Sequence, residues 1–329
     1  MSVTSVEKPA PPARRPWAAV RALTVELPWI WVFLAVVGMW VAIAAISGRG
    51  LVGTMLANIA LAPFLVFVGI GQMFVITSGN GNIDLSVQYS MPLAAFVGIS
   101  VMSGGSGSAV VGVLAAVAVG LVIAAANLFC ILVLGIPAIV ATLSVGLMAY
   151  SGVSLEAQSF SAVPDPGLHA FTVSSVAGVS WLAIVCLGLA FVAGGVLHRT
   201  TYGRALQAAG QNRSAANLAG LPVTRVVIVS YLICGVLAAL SGLLLGIYVS
   251  PSVSIGIPYL LNSIAVVVLG GSLIAGGRSN VVGVWGGALF LLLLTTLLNV
   301  VNIAVASQDI VKGALIIVVL ALVGTKESS

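Results

Sequence analysis

From Trp29 to Val323 the chain is a succession of ten apolar runs. They lie at about 29–47, 54–76, 87–103, 109–134, 136–152, 173–196, 226–249, 258–275, 281–299 and 303–323. A helix crossing a bilayer takes about 20 apolar residues, so each run has roughly the length of one crossing. The fifth is short enough to be expected as partly re-entrant. Composition removes the soluble alternative. The 329 residues are 60% hydrophobic and 6% charged, whereas a soluble domain is about a quarter charged. Such a chain cannot supply the wetted exterior of a water-soluble enzyme. A net charge of +5, thinly scattered, does not suit nucleic-acid binding. Cys130, Cys186 and Cys234 all fall inside apolar runs, so they read as small core residues rather than as a disulfide or metal framework.

The few cations orient the chain. With a cytosolic start, ten alternating spans place Lys8, Arg14, Arg15, Arg21, Arg199, Arg204, Arg213, Arg225, Arg278 and Lys326 on the cytosolic side. Those are ten of the twelve Lys and Arg residues; Arg49 falls outside and Lys312 within a span. The polar stretch 153–172, with Glu156 and Asp165, lands outside without a cation. This is a strong positive-inside asymmetry. Residues 1–25, broken by Pro9, Pro11, Pro12 and Pro16, are expected to form a disordered cytosolic tail, and 26–325 a single transmembrane domain.

A faint internal repeat runs at an offset of about 171 residues. Val110-Val111-Gly112-Val113 matches Val281-Val282-Gly283-Val284, Gly71 matches Gly242, and Ile139-Val140 matches Ile310-Val311. It pairs spans 2–5 with spans 7–10. An offset of five spans reverses orientation, so the halves would be inverted repeats, as in transporters whose pathway lies between two halves. The expected fold is an all-α polytopic membrane protein of about ten helices with two inverted repeats.

Three segments stand out chemically. The longest interior hydrophilic stretch, His198 to Arg225, is rich in small and polar residues. A short helix from about Ser214 to Ala219, N-capped by Ser214 and ended by Gly220 and Pro222, would offer small side chains to a partner's groove. A solvated loop that merely holds positive charge is the plainer alternative. Ser78 to Ser86, between spans 2 and 3, carries Gly79, Asn80, Gly81, Asn82 and Asp84. A carboxylate at a span edge is costly unless used or paired; Asp84 either serves a pathway or caps span 3. The turn Gly270 to Arg278 holds four glycines, which at membrane depth implies broken helix or close backbone approach. No GxxxxGK[ST] occurs in the sequence, so ATP-driven transport would need a separate ATPase. Among polar residues in spans, Asn58, Gln72, Asn127, Asn262, Asn299 and Asn302 read first as interhelical hydrogen-bonding groups. Asp309 and Lys312 are spaced to pair. No catalytic constellation is present.

Four ordered motifs resemble the permease subunits of bacterial ABC importers for monosaccharides of the ribose, xylose and arabinose type. They are Ile83-Asp84-Leu85-Ser86-Val87, Ile136-Pro137-Ala138-Ile139-Val140-Ala141-Thr142-Leu143, Tyr202-Gly203-Arg204 through Ala215-Ala216 to Gly220, and Ala265 to Gly271 with Ala275-Gly276-Gly277. The likeness extends from about residue 50 to 323. It implies a multi-pass inner-membrane permease with cytoplasmic termini, paired with a second permease subunit (a copy of itself or a homologue). It further implies an ABC-type ATPase that uses ATP and Mg, a periplasmic or extracellular solute-binding protein, and no cofactor in this chain. The loop residues Arg204, Ser214, Ala215, Ala216 and Gly220 would couple to the ATPase. Asn58, Gln72, Asp84 and Ser86 are the expected pathway residues for a sugar or polyol. Rivals are an ion-coupled secondary transporter, a branched-chain amino-acid ABC permease, a passive channel and a membrane scaffold.

Overall fold

The computed structural model describes residues 29–48, 51–103 and 108–324; the tail expected at 1–25 lies outside them. Ten helices coincide with the ten apolar runs. They are α1 (Ile30–Ser47), α2 (Leu51–Thr77), α3 (Val87–Met102), α4 (Ser108–Leu128), α5 (Ala138–Gln158), α7 (Trp181–Arg199), α10 (Val223–Val249), α11 (Ile257–Leu269), α12 (Val281–Val300) and α13 (Val305–Gly324). Seven of the described helices are long and apolar enough to cross a membrane, while α3 and α11 are shorter apolar helices. At 1.5 Å per residue these two span roughly 24 and 20 Å, less than the ~30 Å of hydrocarbon. Each follows an irregular stretch, 78–86 or 250–256.

Three boundaries differ from expectation. The fifth helix is not partly re-entrant: it runs unbroken through 21 residues and carries Glu156 in its last turns. The sixth begins at Trp181, because Ser180 caps it through Leu182 N and a small helix and hairpin intervene. Those are α6 (Pro166–Val173), capped by Asp165, and β1 (Ser175–Val176) paired antiparallel with β2 (Val179–Ser180). The eighth ends at Leu269, where the glycine-rich turn begins. At its far end α4 passes into a π-helical turn, Phe129–Val133.

The core lies around α10, which packs against α2, α3 and α4. Its glycine positions set how closely: a Cβ on Gly235 would strike the Gly120 carbonyl of α4. Helices in lipid gain little from burying apolar surface, so such small-residue crossings are where packing energy comes from. Exchanging α2, α3, α4 and α5 for α10, α11, α12 and α13 leaves the packing scheme unchanged. The pair α3/α10 corresponds to α11/α2, α4/α10 to α12/α2, α3/α4 to α11/α12, and α3/α5 to α11/α13, and all are in contact. Cys130, Cys186 and Cys234 are free thiols, and the Lys312 ammonium lies 3.6 Å from the Asp309 carboxylate.

Candidate functional site

Asp84 sits in the break between α2 and α3, almost fully buried, with its Oδ1 as the acceptor of three bonds. The Ser86 amide donates to it at 2.9 Å, the Ser86 hydroxyl at 2.5 Å and the Asn127 amide of α4 at 3.3 Å. Asn127 also donates to Ser86 Oγ at 2.9 Å. The same break is held from α5, where Thr142 Oγ1 accepts from the Leu85 amide at 3.1 Å and lies 3.3 Å from the Ile83 carbonyl as donor. Two motifs more than fifty residues apart thus clamp each other. Asp84 does not cap a first-turn amide of α3: Ser86 is the N-cap residue and no side chain caps the helix, so the carboxylate instead closes a turn onto Ser86 two residues on.

Around this carboxylate the structure gathers polar groups that the sequence scattered. Gln72 of α2 accepts from the Cys234 thiol of α10 at 3.8 Å, and Tyr231 lies one helical turn before Cys234. Gln72 Nε2, Asn127 Oδ1 and the Tyr231 hydroxyl are buried without a hydrogen-bond partner. Buried polar groups are normally satisfied, so three such atoms in one neighbourhood set it apart from the packed apolar core. Of the four expected pathway residues, Gln72, Asp84 and Ser86 fall in this neighbourhood. Asn58 does not: it bonds Thr54 O and accepts from Thr296 of α12 at 3.0 Å. It lies roughly 21 Å up α2 from Gln72 at the helical rise.

Below the break, two further helices cross the end of the bundle, α8 (Thr201–Gln211) and α9 (Arg213–Leu218). Thr200 caps α8 through Gly203 N. Tyr202 anchors it to α10, its hydroxyl 3.0 Å from Ser230 Oγ. Burial pushes that phenol up to about 12, with the Ser230 bond offsetting part, so it stays neutral. The cap of α9 is Asn212, not Ser214. Asn212 has the extended backbone a cap requires and accepts from Ala215 N at 2.9 Å, whereas Ser214 already lies inside the first turn. Ala216 is the buried foot of α9, packed with Ala209, Leu221 and Val223. Ser214, Ala215 and Gly220 are exposed, as is Arg204 on α8, and Gly220 ends the helix at φ 76°. Leu218 is 91% exposed. It passed unnoticed in the sequence because one Leu among so many carries no signal; its setting, a large apolar side chain in a polar loop, was the available one.

The three chemically distinct segments meet at this end. The Gly277 amide donates to the Thr77 carbonyl at 3.0 Å, and Gln211 Nε2 lies 3.4 Å from the Gly277 carbonyl. A Cβ on Gly210 would strike Thr77 O and Gly277 N, and one on Gly79 would come within 2.8 Å of Gly210 Cα. The end of α8 is therefore seated directly on the end of α2 and on the turn after α11. A cavity of about 520 Å³ opens beside the junction, lined by Asn80, Asn82, Arg213 and the turn at Gly135–Ile139. At the opposite end of α3 and α5 a second, of about 800 Å³, is lined by Ser100, Ser103, Glu156, Ser161 and Asp165.

Comparison with known proteins places this architecture. The family model described as branched-chain amino acid transport system / permease component matches residues 54–320. The ribose import permease protein of Escherichia coli is 34% identical over 263 residues, covering 78% of this chain and 80% of that protein. The autoinducer 2 import system permease protein of an Enterobacter species is 31% identical over 300 residues, 89% and 85% of the two chains. The L-arabinose transport system permease protein of Escherichia coli is 35% identical over 140 residues, 42% and 41%. No solved structure matches the chain.

Proposed function

The chain belongs to the branched-chain amino acid transport system / permease component family, and from that premise we propose that it imports a small polar solute, a sugar or polyol, as the membrane subunit of an ABC importer. It is a multi-pass transport subunit; the solute class rests on the ribose and arabinose permeases among its relatives. The sequence carries no GxxxxGK[ST], which supports the reading that a separate ABC-type ATPase uses the ATP and Mg. The basic end of the bundle, with α8 and α9, faces the cytoplasm, and both termini lie there.

The observation that carries this reading is the seat of α8 and α9. A short helix with an exposed surface of Ser214, Ala215, Leu218 and Gly220 stands on one buried foot, Ala216. Its neighbour α8 is bonded through Gln211 and Gly277 to both halves of the bundle. An ATPase that grips α9 would displace the ends of α2 and α11 together. That couples nucleotide binding to alternating access at the break holding Asp84 and Ser86. Solute would arrive from a periplasmic or extracellular binding protein at the 800 Å³ cavity and leave through the 520 Å³ one. The exposed face of α5 between them, bearing Ser144 and Ser151, would be closed by a second permease subunit.

The test is uptake by cells expressing the ATPase and binding protein with this chain. Ala216→Trp and Gly220→Val should abolish uptake and ATPase association while membrane insertion survives. Unimpaired uptake would remove the coupling role.

A further inference from the structure

At the same end of the bundle, but on its lipid-facing side, a groove of about 840 Å³ lies between α1 and α7 with α12 as its floor. Phe33, Leu187, Phe191, Val282 and Leu289 make its walls apolar. Gly194 and Gly195 of α7 open onto it. A Cβ on either would meet no atom within 4 Å, so helix packing does not require glycine there. The pair instead leaves room beside α7.

The mouth of the groove differs in kind from its walls. His198 and Arg199, the last turn of α7, stand there with Asn280, the cap of α12. Among the described residues Arg199 has no carboxylate partner. One turn deeper, Trp285 lines the groove, and its indole Nε1 is buried with no hydrogen-bond partner. An apolar slot along span ends with a guanidinium at its mouth describes one occupant: an acyl chain below and an anionic headgroup at the guanidinium.

We propose that this groove binds an anionic phospholipid. Basic recesses between spans on the positively charged side of a membrane protein attract such headgroups, each cation near the surface being worth about a fivefold gain in binding. The site is separate from Asp84 and from the α8–α9 surface, so it stands whether or not the proposed transport role does.

The experiment is native mass spectrometry of the full-length chain, purified in detergent and titrated with dioleoyl phosphatidylglycerol or phosphatidylcholine. The wild type should retain phosphatidylglycerol preferentially. Arg199→Gln should weaken that retention about fivefold. Gly194→Leu, which fills the groove without changing charge, should abolish it, with thermal melting unchanged in both variants. Equal retention of the two lipids overturns the proposal, as does phosphatidylglycerol binding indifferent to both substitutions. Binding that emerges only after residues 1–27 are removed also overturns it, since the amino-terminal tail would then be the occupant.

Discussion

Gly283 stands against the carbonyl of Gly270 with no room for a Cβ between them. About 171 residues earlier, Gly112 stands in the same way against the carbonyl of Gly98. Each pair joins a short helix to the long one after it, α11 to α12 and α3 to α4. The Val-Val-Gly-Val repeat in the sequence is therefore a repeat of a helix crossing.

Gly112→Ala and Gly283→Ala should each lower the melting temperature of the purified chain. Overpacking a tight contact costs about 1–3 kcal/mol, and both sites should respond with the same sign. If either melts like the wild type, the crossing at that site is not close-packed in the membrane.

Removing the Asp84 side chain leaves the Ser86 amide, the Ser86 hydroxyl and the Asn127 amide short of an acceptor. A buried unmet group costs about 1–3 kcal/mol. Asp84→Ala should therefore destabilise clearly more than Asp84→Asn, which keeps an acceptor oxygen in place. Equal losses, measured by thermal unfolding in detergent, would show that the acceptor is not what holds the break.

Leu218 offers an ATPase its largest apolar contact on α9. Burying a leucine is worth about 1.5–3 kcal/mol, so Leu218→Ser should weaken association of the ATPase about tenfold or more. Its 91% exposure means the chain itself should melt unchanged. Pull-down and melting curves separate the two effects.

Gly210→Ala places a methyl between Thr77 and Gly277, at the junction of α8 with both halves. Association with the ATPase should persist, because α9 is untouched, while uptake should fall severalfold. Loss of association and uptake together would mean that α8 and α9 act only as a unit.

Much of the fold was legible because hydrocarbon admits few solutions. The ten runs became ten helices, and boundary differences fell at their ends, where Ser180 and Gly270 act locally against the hydropathy trend. Ser214 and Asn212 are both good caps in composition; the extended backbone at Asn212 chose between them. Asp84 was conspicuous as a rare carboxylate, and Thr142 stood inside a motif that drew notice for other reasons. Cys234 reads as an ordinary core residue and Tyr231 carries no signal of its own, since nothing in an apolar run reveals which neighbour a side chain will meet. Asn58 and Gln72 looked alike on one helix, yet the rise along α2 puts them at different depths with different partners.

By itself the sequence determined the solvent, the ten apolar helices and the faint doubling of the chain, because each follows from hydropathy and position along one dimension. Only the tertiary structure decided that Thr77, Gly210 and Gly277 share one junction, that Asp84 answers to Asn127, and that Arg199 and Trp285 border one groove. Those are distances between remote segments, and they are set by which glycines let backbones approach, a property of pairs that no single stretch of residues contains.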